Sequence, residues 1–133
     1  MMFDLPFAPS YHDAVKAAVD HAHRLGHPYA GTEHLLLGLL ETSPELFRRA
    51  HPGARIGDIV IGLVEPGHAY EQRGELPYTP GAVRAFQSAA AAARDSGSDA
   101  IELRHLAAAL VADDGIAGAA LREAGIASPD QIG

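Results

Sequence analysis

The sequence predicts an all-α fold, a pseudo-twofold duplicated helical bundle forming one domain over residues 1–133. Three observations carry that reading. Apolar residues recur at three- and four-residue spacing in successive windows, as in helices that bury one face. Glycine, proline and small polar residues mark the places where such helices start and stop. The third is an internal repeat at a fixed offset of 71, with no gap. Leu5, Pro6, Pro9, Ala14, Ala18, Ala22, Gly26, His34, Leu35 and Leu39 meet Leu76, Pro77, Pro80, Ala85, Ala89, Ala93, Gly97, His105, Leu106 and Leu110. Alanine-rich helices match by chance, but the prolines, the glycine and the histidine do not have that excuse. The chain therefore reads as a duplication, with repeat one over about 5–64, a linker over 65–75 and repeat two over about 76–133.

The elements follow in order. Leu5-Pro6-Phe7-Ala8-Pro9 is an extended lead-in, because each proline restricts the residue before it. Ser10 is placed to cap a helix from Tyr11 to Leu25, which Gly26 ends. Gly31-Thr32-Glu33-His34-Leu35-Leu36-Leu37-Gly38-Leu39-Leu40 opens a second helix, running to about Glu41, with Thr32 as the expected cap and Glu33 at the positive end of the dipole. Its leucines mark it as the buried post of the domain. Ser43-Pro44-Glu45 signals a short helix over Pro44–Ala50. Ile56, Ile59, Val60, Leu63 and Val64 give a fourth stripe over about Arg55–Val64, whose β-branched content also allows a strand. In repeat two, helices are expected at Gly81–Ser96, Leu103–Ala112 and Ile116–Ala124. Ser128-Pro129-Asp130 begins a fourth that the chain truncates.

Composition narrows function. With no cysteine, there is no disulfide scaffold, cysteine nucleophile or thiolate metal site. The net charge of −7, with Lys16 the sole lysine, argues against nucleic acid and favours a partner with basic groups. Met1-Met2-Phe3-Asp4 does not open a signal peptide, and no apolar run spans a bilayer, so no membrane role is expected. The eight histidines include no His-Glu-x-x-His pattern, and no metal or other cofactor is expected. His34 and His105 read as packed residues hydrogen-bonded to a neighbouring loop. Glu33 and His34 diverge on the helix and have no nucleophile beside them, so the chain is read as not an enzyme.

The run from Leu25 to Leu40 closely resembles the repeat signature of the Clp N-terminal domain, found at the head of the Clp unfoldases. Met1-Met2-Phe3 and Tyr78-Thr79-Pro80 resemble the ClpC branch. The resemblance implies an eight-helix bundle and a cytoplasmic protein-interaction module, here without its ATPase ring. As a stand-alone chain it would be a regulator, adaptor or decoy in Clp-dependent proteolysis, its partner a Clp adaptor, substrate or ring component. The alternative is the excised head of a full-length ClpC-type ATPase, with weak phosphoarginine binding in repeat one. The family's phosphoarginine sites use the motif glutamate and a lead-in threonine. Here repeat one has Glu33 but Ala8, and repeat two has Thr79 but Arg104. The expected ligand-binding residues, for a peptide or phosphoarginine, are Glu33 and Thr79 together with Phe7, Tyr11, Tyr78 and Val83, the last four as exposed apolar area between the repeats.

Overall fold

A computed structural model describes residues 5–70 and 74–133. The opening Met1–Asp4 and linker residues 71–73, and the readings that fall on them, lie outside the described residues. Among the described residues there are six α-helices and no strands. They are α1 (Pro9–Arg24), α2 (Thr32–Thr42), α3 (Ile56–Leu63), α4 (Pro80–Asp95), α5 (Leu103–Val111) and α6 (Ile116–Glu123). The predicted all-helical class is what the chain adopts.

Two of the eight expected helices are single 3-10 turns, at Pro44–Phe47 and Pro129–Gln131. The first ends at Phe47, short of the expected Ala50, and the His51-Pro52-Gly53 break follows it. The segment rich in β-branched residues resolves as helix α3, with Ile56 and Val60 buried. The first helix starts two residues early. Pro9 takes its first position, where its missing N–H costs nothing, so Ala8 and not Ser10 is the N-cap.

The leucine helix is the post of the bundle. Leu35, Leu36, Leu37 and Leu39 are buried, and α2 packs against α1, α3, α4, α5 and α6. Each such leucine contributes about 1.5–3 kcal/mol on burial. Gly38 lets α1 lie directly against it: a Cβ there would press on the Ala14 carbonyl oxygen and come within 2.9 Å of the Ala18 nitrogen.

The two repeats interlock through their lead-ins. Ile101 donates to the Pro6 carbonyl at 2.8 Å, and the Ala8 N–H donates to Ile101 at 2.9 Å. Ala30 donates to Pro77 at 2.9 Å, and the Thr79 N–H donates to Ala30 at 3.0 Å. These are the same two hydrogen bonds shifted by 71 residues, each joining one repeat's lead-in to the other repeat's interhelical loop. The matched bonds define the pseudo-twofold axis, and the prolines matter because they keep the lead-ins extended.

One asymmetry lies at the helix starts. Thr79 caps α4, its Oγ1 accepting from Ala82 N–H at 3.1 Å, whereas Ala8 offers α1 no side-chain cap. Ala8→Thr is therefore expected to raise stability by about 0.5–1 kcal/mol. Chemical denaturation at neutral pH checks this; a lowered midpoint would show that the lead-in cannot hold a threonine there.

Candidate functional site

The candidate site lies where the start of α2 meets the start of α4, brought together by the Ala30–Tyr78 pairing. Gly31 is the N-cap of α2, and its N–H donates to His34 Nδ1 at 2.9 Å. His34, three residues in, thus does what the glutamate or glutamine of a capping box does. The expected cap, Thr32, is already inside the helix. Its hydroxyl instead donates to Asp113 Oδ2 at 2.9 Å, tying α2 to the α5–α6 loop.

Glu33 turns its carboxylate back over Gly31. A Cβ built on Gly31 would strike Glu33 Oε1 and lie 3.4 Å from the Thr79 methyl. Glu33 and Thr79 therefore flank the same glycine, although they belong to different repeats. The expectation placed Glu33 with Ala8 and Thr79 with Arg104. Because the lead-ins cross, the fold instead brings the retained acid and the retained threonine to the same glycine, with the threonine methyl facing Gly31 and its hydroxyl capping α4. At the other crossing Ala8 is bonded to Ile101, just ahead of the α5 turn that carries Arg104. The Arg104 guanidinium is folded onto Glu102, Nη2 to Oε2 at 2.8 Å.

The start of α4 supplies anion-binding groups. Pro80 has no N–H, the Ala82 N–H goes to Thr79 Oγ1, and the Val83 N–H goes to the Thr79 carbonyl. Gly81 is left with the first-turn N–H that has no acceptor among the described residues. Arg84 Nη2 stands 3.8 Å from where a Cβ on Gly81 would be, and no ion pair holds it among the described residues. Gly81, Arg84 and Ser88 also line a cavity of about 220 Å³ with Asp113 and Asp114. A carboxylate, a hydroxyl, a helix-start N–H and a free guanidinium are thus set around two helix starts. The first suits a guanidinium and the others suit a phosphate.

Behind the site a buried histidine pair fixes α2. His34 is fully buried and His27 is 4% exposed, with His27 Nδ1 2.7 Å from His34 Nε2. Since His34 Nδ1 accepts from Gly31, His34 Nε2 carries the proton and donates to His27 Nδ1. His27 Nε2 then donates to the Glu65 carbonyl at 2.7 Å. The ring of Tyr29 stacks on His27, 5.4 Å between centroids. Burial pushes the His34 pKa down to about 4, with His27 and then His21 adding to the effect. Burial, and then Glu33, raises that of Tyr29. His34 and His105 are the packed, loop-bonded residues expected; His27, expected at the surface, is buried, and Arg84 and Asp113 carry no signal in the sequence. Only the partner they meet in space distinguishes them from surface residues.

The predicted apolar contacts divide. Tyr78 is 41% exposed, edge-on to Phe86 at 5.1 Å, and lines a groove of about 570 Å³ along α1 with His12, Val15, Val19 and Leu76. Phe7 and Val83 are half-buried and lie outside the lining of that groove. Tyr11 is corrected: it is 2% exposed, packed against Phe7 at 4.6 Å and near Phe86, so it belongs to the core. Its place in the first turn of α1 turns it towards α4 instead of solvent. No helix among the described residues is long and apolar enough to cross a membrane.

Residues 6–124 match the family described as the Clp repeat (R) N-terminal domain. The chain is 35% identical over 100 residues to the ATP-dependent Clp protease ATP-binding subunit ClpC of Staphylococcus epidermidis, covering 73% of this chain and 12% of that protein. It thus spans a small fraction of that relative's length. Among solved structures it resembles the N-terminal domain of the chaperone ClpD from Arabidopsis thaliana, with TM-score 0.70, 23% identity, and 98% and 90% of the two chains covered. It also resembles the Hsp104 N-terminal domain from Candida albicans, with TM-score 0.78, 21% identity, and 95% and 85% covered.

Proposed function

The chain belongs to the Clp repeat N-terminal domain family, and from that premise we propose that it is a non-catalytic docking module of Clp-dependent proteolysis. It works as a cytoplasmic regulator, an adaptor or decoy that takes substrates or adaptors of a Clp ring through phosphorylated arginine. What supports this reading is the crossing at Gly31, where Glu33 from one repeat and the Thr79 methyl from the other flank one glycine. The Glu33 carboxylate takes the guanidinium. The Thr79 hydroxyl, the Gly81 N–H and Arg84 take the phosphate, and the start of α4 adds its dipole. The other crossing, with Ala8 and Arg104, has neither the hydroxyl nor the motif glutamate, and its Glu102 is taken up by Arg104.

The test is calorimetric titration with free phosphoarginine. Binding is expected with a stoichiometry of one, weakened about tenfold or more by Glu33→Ala, which removes a charge-assisted pair. Unphosphorylated arginine should bind far more weakly. An absence of binding, or binding indifferent to Glu33→Ala, would overturn the assignment.

A further inference from the structure

The cavity beside the Glu33–Thr79 site opens where the two repeats differ. In repeat one Gly38 lets α1 close directly onto α2. The matched residue in repeat two is Ala109, whose methyl requires α4 and α5 to stand farther apart at that level. The cavity of about 220 Å³ lies there, walled by Ala85, Ala109 and Ala112 and bordered by the half-buried Asp113 and the exposed Asp114.

Gly81 joins this cavity to the proposed site. A Cβ built on Gly81 would lie 3.7 Å from the Thr32 methyl, 3.8 Å from Arg84 Nη2 and 3.9 Å from Thr79 Oγ1, and Gly81 also lines the cavity. With no side chain at Gly81, nothing at that position divides the two. Thr32, next to Glu33 in the chain, reaches the cavity border through its hydroxyl bond to Asp113. Asp113 also accepts from Gly118 N–H at 3.4 Å, so that wall is fixed at both ends.

The lining sets the chemistry of what fits. Small apolar walls take methylene groups and carboxylates at the border take a positive charge, which is the division within a lysine or arginine side chain. Asp113 uses Oδ2 for Thr32 and Gly118, while the Asp114 carboxylate has no hydrogen bond or ion pair among the described residues. Arg84, the cation in this lining, is the group assigned above to the phosphate. A phosphate brings about −1.5 to −2 charges. Once it has taken Arg84, the two aspartates face it without a counter-charge, and a second cation in the cavity relieves that repulsion.

We infer that this cavity is a second subsite of the docking surface, which takes the side chain of a lysine or arginine next to the phosphoarginine, with Asp114 as the residue that selects it. The subsite rests on the phosphoarginine reading above and adds to it the class of segment taken, one in which the phosphorylated arginine has a basic neighbour.

The probes are free phosphoarginine and two capped tripeptides, with phosphoarginine between two lysines or between two glutamines, titrated calorimetrically in about 0.1 M salt. The lysine peptide is expected to bind about three- to fivefold tighter than the glutamine peptide, as one partly exposed ion pair allows. Asp114→Asn should abolish that preference without weakening free phosphoarginine. Asp95→Asn, at the far end of α4, removes the same charge and should leave the preference intact, which separates the cavity from the general attraction of an acidic protein for a basic peptide. Glu33→Ala should weaken all three probes alike. Equal affinity for the two peptides, with free phosphoarginine still bound through Glu33, would overturn the subsite and leave the docking site standing. A lysine preference that survives Asp114→Asn, or that Asp95→Asn removes equally, would overturn it too. Failure of free phosphoarginine to bind would remove the docking site and the subsite with it.

Discussion

Gly38→Ala is expected to cost about 2–4 kcal/mol, although alanine is normally the better helix residue by about 1 kcal/mol. The added methyl has no pocket to enter. It meets backbone on α1, at the Ala14 carbonyl and the Ala18 nitrogen, and backbone cannot swing aside as a side chain can. Helices α1 and α2 must separate, and the contacts of Ala14, Ala18, Leu35 and Leu39, all buried, loosen together. For a domain of this size the melting temperature should fall by roughly 10 °C. The matched position in repeat two is Ala109, so α4 and α5 already accommodate a methyl group there. Ala109→Gly should therefore cost only about 1 kcal/mol, the helix-propensity difference. Thermal unfolding of the two variants side by side is the measurement. A Gly38→Ala protein as stable as the parent would mean that the close approach is not what holds the first hairpin together.

That asymmetry is invisible to the pattern of apolar residues but not to the residues themselves. The repeat was legible because matched prolines and glycines at one offset demand matched backbone, and the helices follow from that. The leucine post was legible from Leu35–Leu40. Thr32 was misread because threonine before an apolar run signals a cap, whereas here Gly31 takes the extended cap position and His34 closes the turn. Tyr11 was misread because one aromatic near a helix start does not reveal which way it faces. The largest omission was the crossing of the lead-ins. A motif read within one repeat pairs Glu33 with Ala8. The fold pairs it with Thr79, because Leu-Pro lead-ins cannot satisfy their own backbone and find partners on the opposite repeat. Under the function proposed above, the retained halves of two degenerate motifs meet across the repeats and serve one site.

The second large effect concerns acid. His34 has its folded pKa near 4 against 6.5 for the free side chain, so between those values the unfolded chain binds a proton that the folded chain refuses. Stability is thus fully present above about pH 6.5 and is lost as pH falls towards 4, by about 3 kcal/mol at the bottom of that window. The geometry gives the reason. Protonated His34 would place an N–H against the Gly31 N–H, and the other groups facing it, His27 and His21, offer it no negative charge. Burial also lowers the pKa of His105, with Arg104 adding and Glu102 opposing, and the net shift has the same sign. His34→Gln separates the charge from the cap. A glutamine carbonyl can accept from Gly31 and its amide can donate to His27, but it does not titrate. The variant should fold with a loss of about 1 kcal/mol at pH 7 and then lose less than the parent on acidification, the part that remains coming from His105. His34→Ala, which also leaves a cavity and orphans both partners, should cost about 3–4 kcal/mol at pH 7. Urea denaturation at pH 7 and pH 4.5 distinguishes these outcomes. If His34→Gln kept the full acid sensitivity of the parent, the proton would have to be taken up elsewhere, and the His34–His27 pair would be only a packing element beneath the Glu33–Thr79 site.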